Sequence, residues 1–278
     1  MNVATIAQRL FAGDLYYALG RFESVRRGYS FLRGLVPDGD HAAPAALPSL
    51  FPRVSVDGAV ADIRRDSIAF GFDLPPDILA EIQRFADTAP CRERGREQPF
   101  RRADVVNGCL SDGTPLVHGL VDEPMSCPAV ARVCEDPVLV ETASRFLGYR
   151  VKRVVPRVFW SFASPVSDDE RRNRGQTIDW HFDVHDYNFI SAGFYLSDVD
   201  QGSGPHALLC GSHTGKPARL LLGSANAPEE TVFEHFGRDT LMVIEAPAGT
   251  GFLEDTSCYH KAVAPTHRDR LMFQIWYS

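Results

Sequence analysis

Residues 177 to 189 read TIDWHFDVHDYNF, and the interpretation of the whole chain turns on this stretch. His181, Asp183, His185 and Asp186 fall within six positions, interleaved with Phe182, Val184, Tyr187 and Phe189. The alternation is that of a β-strand, whose successive side chains point to opposite faces. On that reading His181, Asp183 and His185 share one face, while Phe182 and Val184 pack on the other. Imidazoles and carboxylates avoid burial unless they are paired or bind a metal. A structural His–Asp pair at a sheet edge is the plain alternative. Three metal ligands from this one strand would be awkward, because each residue advances about 3.3 Å along it.

A third ligand must then come from elsewhere. Residues 249 to 278, GTGFLEDTSCYHKAVAPTHRDRLMFQIWYS, offer His260, just past a short strand and before a final one. Ten residues later Arg270 heads the run LMFQIWY. A guanidinium clamps a carboxylate through two parallel hydrogen bonds. Arg268 shares the face of Arg270 if the strand begins that early, and so competes for the role.

Composition limits the alternatives. The chain has 278 residues, 44% of them hydrophobic, and 18 Phe, enough for a sizeable core. A net charge of −7 argues against a nucleic-acid binder or a partner of anionic membranes. Six Cys, none in a C-x-x-C pair, read as reduced intracellular thiols. There is no basic-then-apolar N-terminal pattern and no apolar run of about 18 residues, so the expectation is a soluble, cytoplasmic protein with a small-molecule substrate. Nothing in the sequence indicates the oligomeric state.

Along the chain, residues 4 to 36 follow a helical period broken by Gly13 and Gly20, and 38 to 52 are rich in Pro and Ala. Residues 1–52 are therefore expected to form a helical appendage and linker, and 53–278 the main domain. Within the latter a strand is expected at 68–70, then a helix opened by Pro75 and Pro76. A second helical stretch spans 128–147 and ends near Gly148. From residue 151 onwards short apolar runs alternate with Gly, Pro and Asp. Helices first and strands later give an α+β protein, mainly β, whose core is a sandwich, jelly roll or barrel buttressed by helices.

The order H-x-D, distant His, then Arg at the head of a last strand resembles the Fe(II)/2-oxoglutarate dioxygenases. YLSDVDQGSGPHALLCGSHTGK (195–216) and PAVARVCEDPVLVETASRFLGY (128–149) narrow this to a resemblance to the phytanoyl-CoA dioxygenase (PhyH)-like family. The resemblance covers about residues 60 to 278. It implies a double-stranded β-helix of the jelly-roll, cupin-like kind. It implies His181, Asp183 and His260 as Fe(II) ligands, with Arg270, or failing it Arg268, holding the distal carboxylate of 2-oxoglutarate. It also implies O2 as cosubstrate, release of succinate and CO2, and oxidation of a small molecule. Hydroxylation is favoured over halogenation, because related halogenases lack the carboxylate at the position of Asp183. A polar side chain shortly before H-x-D often assists in the family; Gln176, Thr177 and Asp179 are nearby, and none matches firmly. The rivals are a cupin-like metalloenzyme that does not use 2-oxoglutarate, and a non-catalytic binding protein on the same scaffold.

Other polar residues receive plainer readings. His185 and Asp186 are expected to cap the strand at the solvent, His206 and His213 to pack in loops, and Asp198 and Asp200 to bond turn amides. Asp255 is read as orienting the loop before His260. The Arg-rich stretches CRERGREQPFRR (91–102) and SDDERRNRGQ (167–176) are expected to be solvated loops, with an entrance or lid role as the alternative.

Overall fold

The computed structural model describes residues 15–36 and 48–278. Among the described residues ten strands form two antiparallel sheets. The larger runs in the order β1 (Ile68–Phe70), β8 (Gly251–Glu254), β5 (Ile190–Tyr195), β10 (Arg270–Tyr277), β4 (Val154–Ser161), β3 (His118–Val121) and β2 (Cys91–Arg92). The smaller is β7 (Leu241–Ile244), β6 (His206–Leu209) and β9 (His260–Ala262). This two-sheet arrangement is a double-stranded β-helix, as expected.

The sequence explains the helices locally. Pro76 opens Pro76–Thr88, where its missing N–H costs nothing. The stretch 128–147 is two helices, Pro128–Cys134 and Pro137–Leu147, not one. Proline at 137 cannot continue the first, and Asp136 caps the second by accepting from the N–H groups of Val138 and Leu139. The second ends at Gly148 with a φ of 80°. These helices cover the outer face of the larger sheet, where Val158, Trp160, Phe194, Leu253, Phe273 and Ile275 form the main core.

Residues 15–34 form two helices, Leu15–Leu19 and Glu23–Gly34, and the expected breaker Gly20 falls between them. A side chain at Gly20 would put its Cβ 2.5 Å from the Asp186 carbonyl oxygen, so only glycine permits this approach. Tyr17 packs with Trp180, Phe182 and Val184. Arg26 is buried against the loop that precedes His260. The expected helix over residues 4–14 and most of the linker lie outside the described residues.

The stretch 177–189 is not a strand, contrary to the expectation. It makes only isolated bridges, from His181 to His260 and to Asn226, plus single bonds such as Asp183 N–H to the Thr256 carbonyl at 2.8 Å. It touches the strand β9 only through His181 and the Thr177 carbonyl, and its other partners are loops, so no continuous ladder forms. The alternation of faces nevertheless holds: Trp180, Phe182 and Val184 are buried in apolar packing, and His181, Asp183 and His185 face a pocket.

Candidate active site

The pocket lies between the two sheets. Its larger-sheet wall follows from register: Arg270, Met272, Gln274 and Trp276 of β10 sit beside Phe159 and Arg157 of β4, and Ser191 and Gly193 of β5. Gly193 keeps this floor flat, because a Cβ there would stand 2.7 Å from the Phe252 ring.

Opposite, His181 and His260 are joined by reciprocal backbone hydrogen bonds of 3.0 and 2.8 Å, and their rings lie 4.3 Å apart. Asp183 reaches both, with its oxygens 3.7 Å from His181 Nε2 and 3.6 Å from His260 Nε2. Each His donates its Nδ1–H to a carbonyl, His181 to Asp179 at 2.9 Å and His260 to Cys258 at 3.1 Å. A carbonyl can only accept, so the Nε2 lone pairs are left facing Asp183. Burial, then the proximity of His181, lowers the pKa of His260 to about 4, and the ring is neutral at pH 7. Burial pushes the Asp183 carboxyl up, but the adjoining His185, His260 and His181 outweigh it, and the net direction is below the ordinary carboxylate value.

Two imidazoles with Nδ1 held by carbonyls and one carboxylate, their ligand atoms all within 4.8 Å of one another, would suit a divalent ion. With only three protein ligands, such an ion would have positions to spare for further ligands from the pocket. A second trio, Glu254, Cys258 and His260, is less suited. Burial raises the Cys258 thiol well above its ordinary value, and the protonated sulfur donates to Glu254 at 3.2 Å.

The GSH segment supports the same loop from behind. Gly211 takes a φ of 74°, and the buried Ser212 hydroxyl donates to the Leu209 carbonyl while accepting from Tyr259 N–H at 2.8 Å. Asp255 does orient the loop, although not through His260. It pairs with Arg26 at 2.9 Å, and Arg26 also donates to Ser257 and Asn188.

Arg270 is 2% exposed at the first position of β10. It donates to the Gly204 carbonyl and approaches Ser161 Oγ at 3.4 Å, and its Nε has no partner. Among the described residues no carboxylate pairs with it. Arg268 lies before the strand, with its guanidinium 59% exposed and 3.9 Å from Asp200, so the expected shared face is not formed.

Several polar residues sit differently from the expectations. His185 does not cap a strand at the solvent: it lines the pocket 3.0 Å from Asp183, with its ring centre 4.1 Å from that of Trp276. His206 is not in a loop; it starts β6, 2.8 Å from Glu254, and both line the pocket. His213 bonds Ser67 Oγ at 2.7 Å, away from the pocket. Asp200 accepts from Ser203 N–H and Asp198 from Ala248 N–H, as expected. Gln176 lines the pocket with its amide nitrogen unpartnered and its oxygen held by Arg171 at 2.9 Å, whereas Asp179 pairs with Arg172. The arginines of 167–176 are spent on internal bonds. Arg174 reaches Glu170 at 2.7 Å and Glu93 at 3.2 Å, stitching the two Arg-rich stretches together.

Arg157, His118 and Glu254 were not singled out from the sequence. Their signal was a charged or titratable residue inside an apolar strand run. Burial lowers His118 to about 4. The six cysteines are all free, and no helix among the described residues is long and apolar enough to cross a membrane.

No family model matches the chain, and no curated protein matches it in sequence. Solved structures do match in fold. EctD from S. alaskensis, determined with 2-oxoglutarate and 5-hydroxyectoine, has a TM-score of 0.55 at 18% identity, over 88% of this chain and 86% of its own. EvdO2 from Micromonospora carbonacea var. aurantiaca, complexed with 2-oxoglutarate, has a TM-score of 0.53 at 15% identity, over 82% and 92%. SnoN, a non-heme alpha ketoglutarate dependent epimerase from nogalamycin biosynthesis, has a TM-score of 0.52 at 16% identity, over 80% and 82%. What the likeness to these three establishes for this chain is the fold.

Proposed function

We propose that the chain is a non-haem Fe(II)/2-oxoglutarate-dependent oxygenase that hydroxylates a small molecule. One observation carries the reading: His181, Asp183 and His260 converge on the pocket that also receives Arg270, a buried cation with no carboxylate partner among the described residues. His181 and His260 present Nε2 to the ion, and Asp183 supplies the anionic ligand. Arg270 supplies the charge that the distal carboxylate of 2-oxoglutarate needs, because a buried guanidinium without a counter-ion is costly until an anion arrives. Phe159, Phe252, Met272 and Trp276 wall the site with apolar surface and keep water from competing. When bound, iron with 2-oxoglutarate supplies the oxidation of a C–H bond at the expense of O2, releasing succinate and CO2.

The neighbours crystallised with 2-oxoglutarate support the cosubstrate assignment by analogy of fold. We take residues 53–278 as the catalytic unit and 1–52 as a helical appendage, acting in the cytoplasm without nucleic acid or membrane. Free thiols and a net charge of −7 favour that setting.

Anaerobic titration of the metal-free protein with Fe(II), then 2-oxoglutarate, tests the reading by visible absorption. A weak metal-to-ligand charge-transfer band is expected, and it disappears in His260→Ala and Asp183→Ala. Tight Fe(II) binding without the band moves the assignment to a metalloenzyme that does not use 2-oxoglutarate. No Fe(II) binding ends the proposal.

A further inference from the structure

The pocket holds a second guanidinium for which the function above has no use. Arg157 lies mid-strand in β4, directly opposite Gln274, four residues along β10 from Arg270. That separation is about 13 Å of strand, too far for both arginines to clamp one end of the same small dicarboxylate. The Arg157 guanidinium sits 5.0 Å from the Trp276 ring centre and 5.5 Å from that of Phe159, and no carboxylate pairs with it among the described residues. Burial lowers its pKa, with Asp183 the nearby charge that opposes the shift.

Of the other polar groups in the pocket, Asp183 faces the metal position, Glu254 lies 2.8 Å from His206, and His118 is neutral at pH 7. An Fe(II) ion, the Asp183 carboxylate, a dianionic cosubstrate and the Arg270 cation cancel one another. Arg157 remains a cation that no side chain of the pocket pairs with, and among the described residues no lysine lines the pocket.

Resting on the proposed oxygenase reading, we infer that Arg157 is the specificity-determining anchor for the substrate, which is a small monoanionic carboxylate. The single cation matches a single negative charge, and its planar fork matches a carboxylate. A phosphate dianion would need a second cation beside Arg157, whereas Arg270 stands about 13 Å of strand away and is taken by the cosubstrate. Trp276 and Phe159 fix the guanidinium by stacking, so that it is aimed before substrate arrives. The cavity is about 220 Å³, below the usual range for ligand pockets of about 300–1,000 Å³, which restricts the substrate to metabolite size.

The test uses the Fe(II)- and 2-oxoglutarate-loaded protein under anaerobic conditions. Acetate, propionate, benzoate and phenylacetate are compared with their carboxamides and with phenyl phosphate, and both the absorption band and the melting temperature are followed. At least one carboxylate is expected to perturb both signals at a concentration tenfold or more below its amide and below phenyl phosphate. Arg157→Gln removes that preference and Arg157→Lys restores part of it, while 2-oxoglutarate affinity changes less than threefold in either variant. Equal responses to acid and amide in the wild type overturn the inference. So does a preference that survives in Arg157→Gln, or a larger loss of 2-oxoglutarate than of carboxylate binding. Phenyl phosphate binding more tightly than every carboxylate also overturns it. If no charge-transfer band forms at all, the oxygenase reading fails separately. The acid–amide comparison by calorimetry on the metal-free wild type and Arg157→Gln then still decides whether Arg157 selects a carboxylate.

Discussion

Replacing Arg26 with Ala should damage the metal site from a distance. Arg26 stands on the helix Glu23–Gly34, 229 residues from Asp255 in the chain, and bonds both Asp255 oxygens at 2.9 Å. The Asp255 side chain is 2% exposed, so truncating Arg26 strands a buried carboxylate and frees Ser257 and Asn188. Removing one partner of a buried ion pair costs about 3–5 kcal/mol. Because Asp255 opens the loop whose Thr256 carbonyl holds Asp183 N–H, Fe(II) affinity should fall with stability. Urea denaturation of the two proteins measures the first effect, and Fe(II) titration of the folded variant the second. A double-mutant cycle with Asp255→Asn should return a coupling of about 1–3 kcal/mol. The effect depends on pH in a fixed sense. Burial pushes Asp255 up, but Arg26 outweighs it and holds the folded carboxyl below its ordinary value of 3.8. The stabilisation is therefore complete above that value and is lost as the pH falls below it. A loss under about 1 kcal/mol, or unchanged Fe(II) affinity in a destabilised variant, would refute the reasoning.

Arg270→Leu should weaken 2-oxoglutarate binding by about 2 kcal/mol or more, read by titration of the Fe(II) protein, whereas Arg268→Leu, at the surface, should change it little. Ser212→Ala leaves the Tyr259 N–H unsatisfied, and chemical denaturation should show a loss of about 1–3 kcal/mol. Burial keeps His118 neutral in the folded state down to about pH 4, while the unfolded chain takes up a proton near 6.5. Stability should fall between those two values by up to about 3 kcal/mol, and His118→Gln should flatten the slope. Fe(II) at 100 times its dissociation constant should stabilise the protein by about 2.7 kcal/mol, seen as a higher melting temperature that a chelator reverses.

How legible the site was in the sequence depends on what each residue relies on. His181, Asp183, His260 and Arg270 were readable because local alternation and order along the chain are properties of the sequence itself. The strand assigned to 177–189 was wrong because a ladder needs a partner, and period-two alternation looks the same in an extended segment without one. His185 and His206 were misplaced for a related reason. Their surroundings, Trp276 and Glu254, arrive from strands more than forty residues away, and nothing near either His announces them. Arg157 was visible only as a charge in VVPRVFWS, and its meaning required knowing that Val158 and Trp160 face the core, which leaves Arg157 to the pocket. The two-helix form of 128–147 was legible from Asp136-Pro137, a cap followed by a residue that begins helices.

The position of β10 has a consequence for how the molecule comes into being. It ends at residue 277 yet lies in the interior of the seven-stranded sheet, hydrogen-bonded to β5 on one side and β4 on the other. During synthesis β4 and β5 therefore emerge with a gap between them, each exposing an unsatisfied edge that can pair with another chain. The gap closes only when β10 has emerged and can enter, so native topology depends on distant pairings, which fold slowly. A nascent chain that stalls before β10 has β4 and β5 but not the strand that joins them, and it is as vulnerable to aggregation as any open sheet.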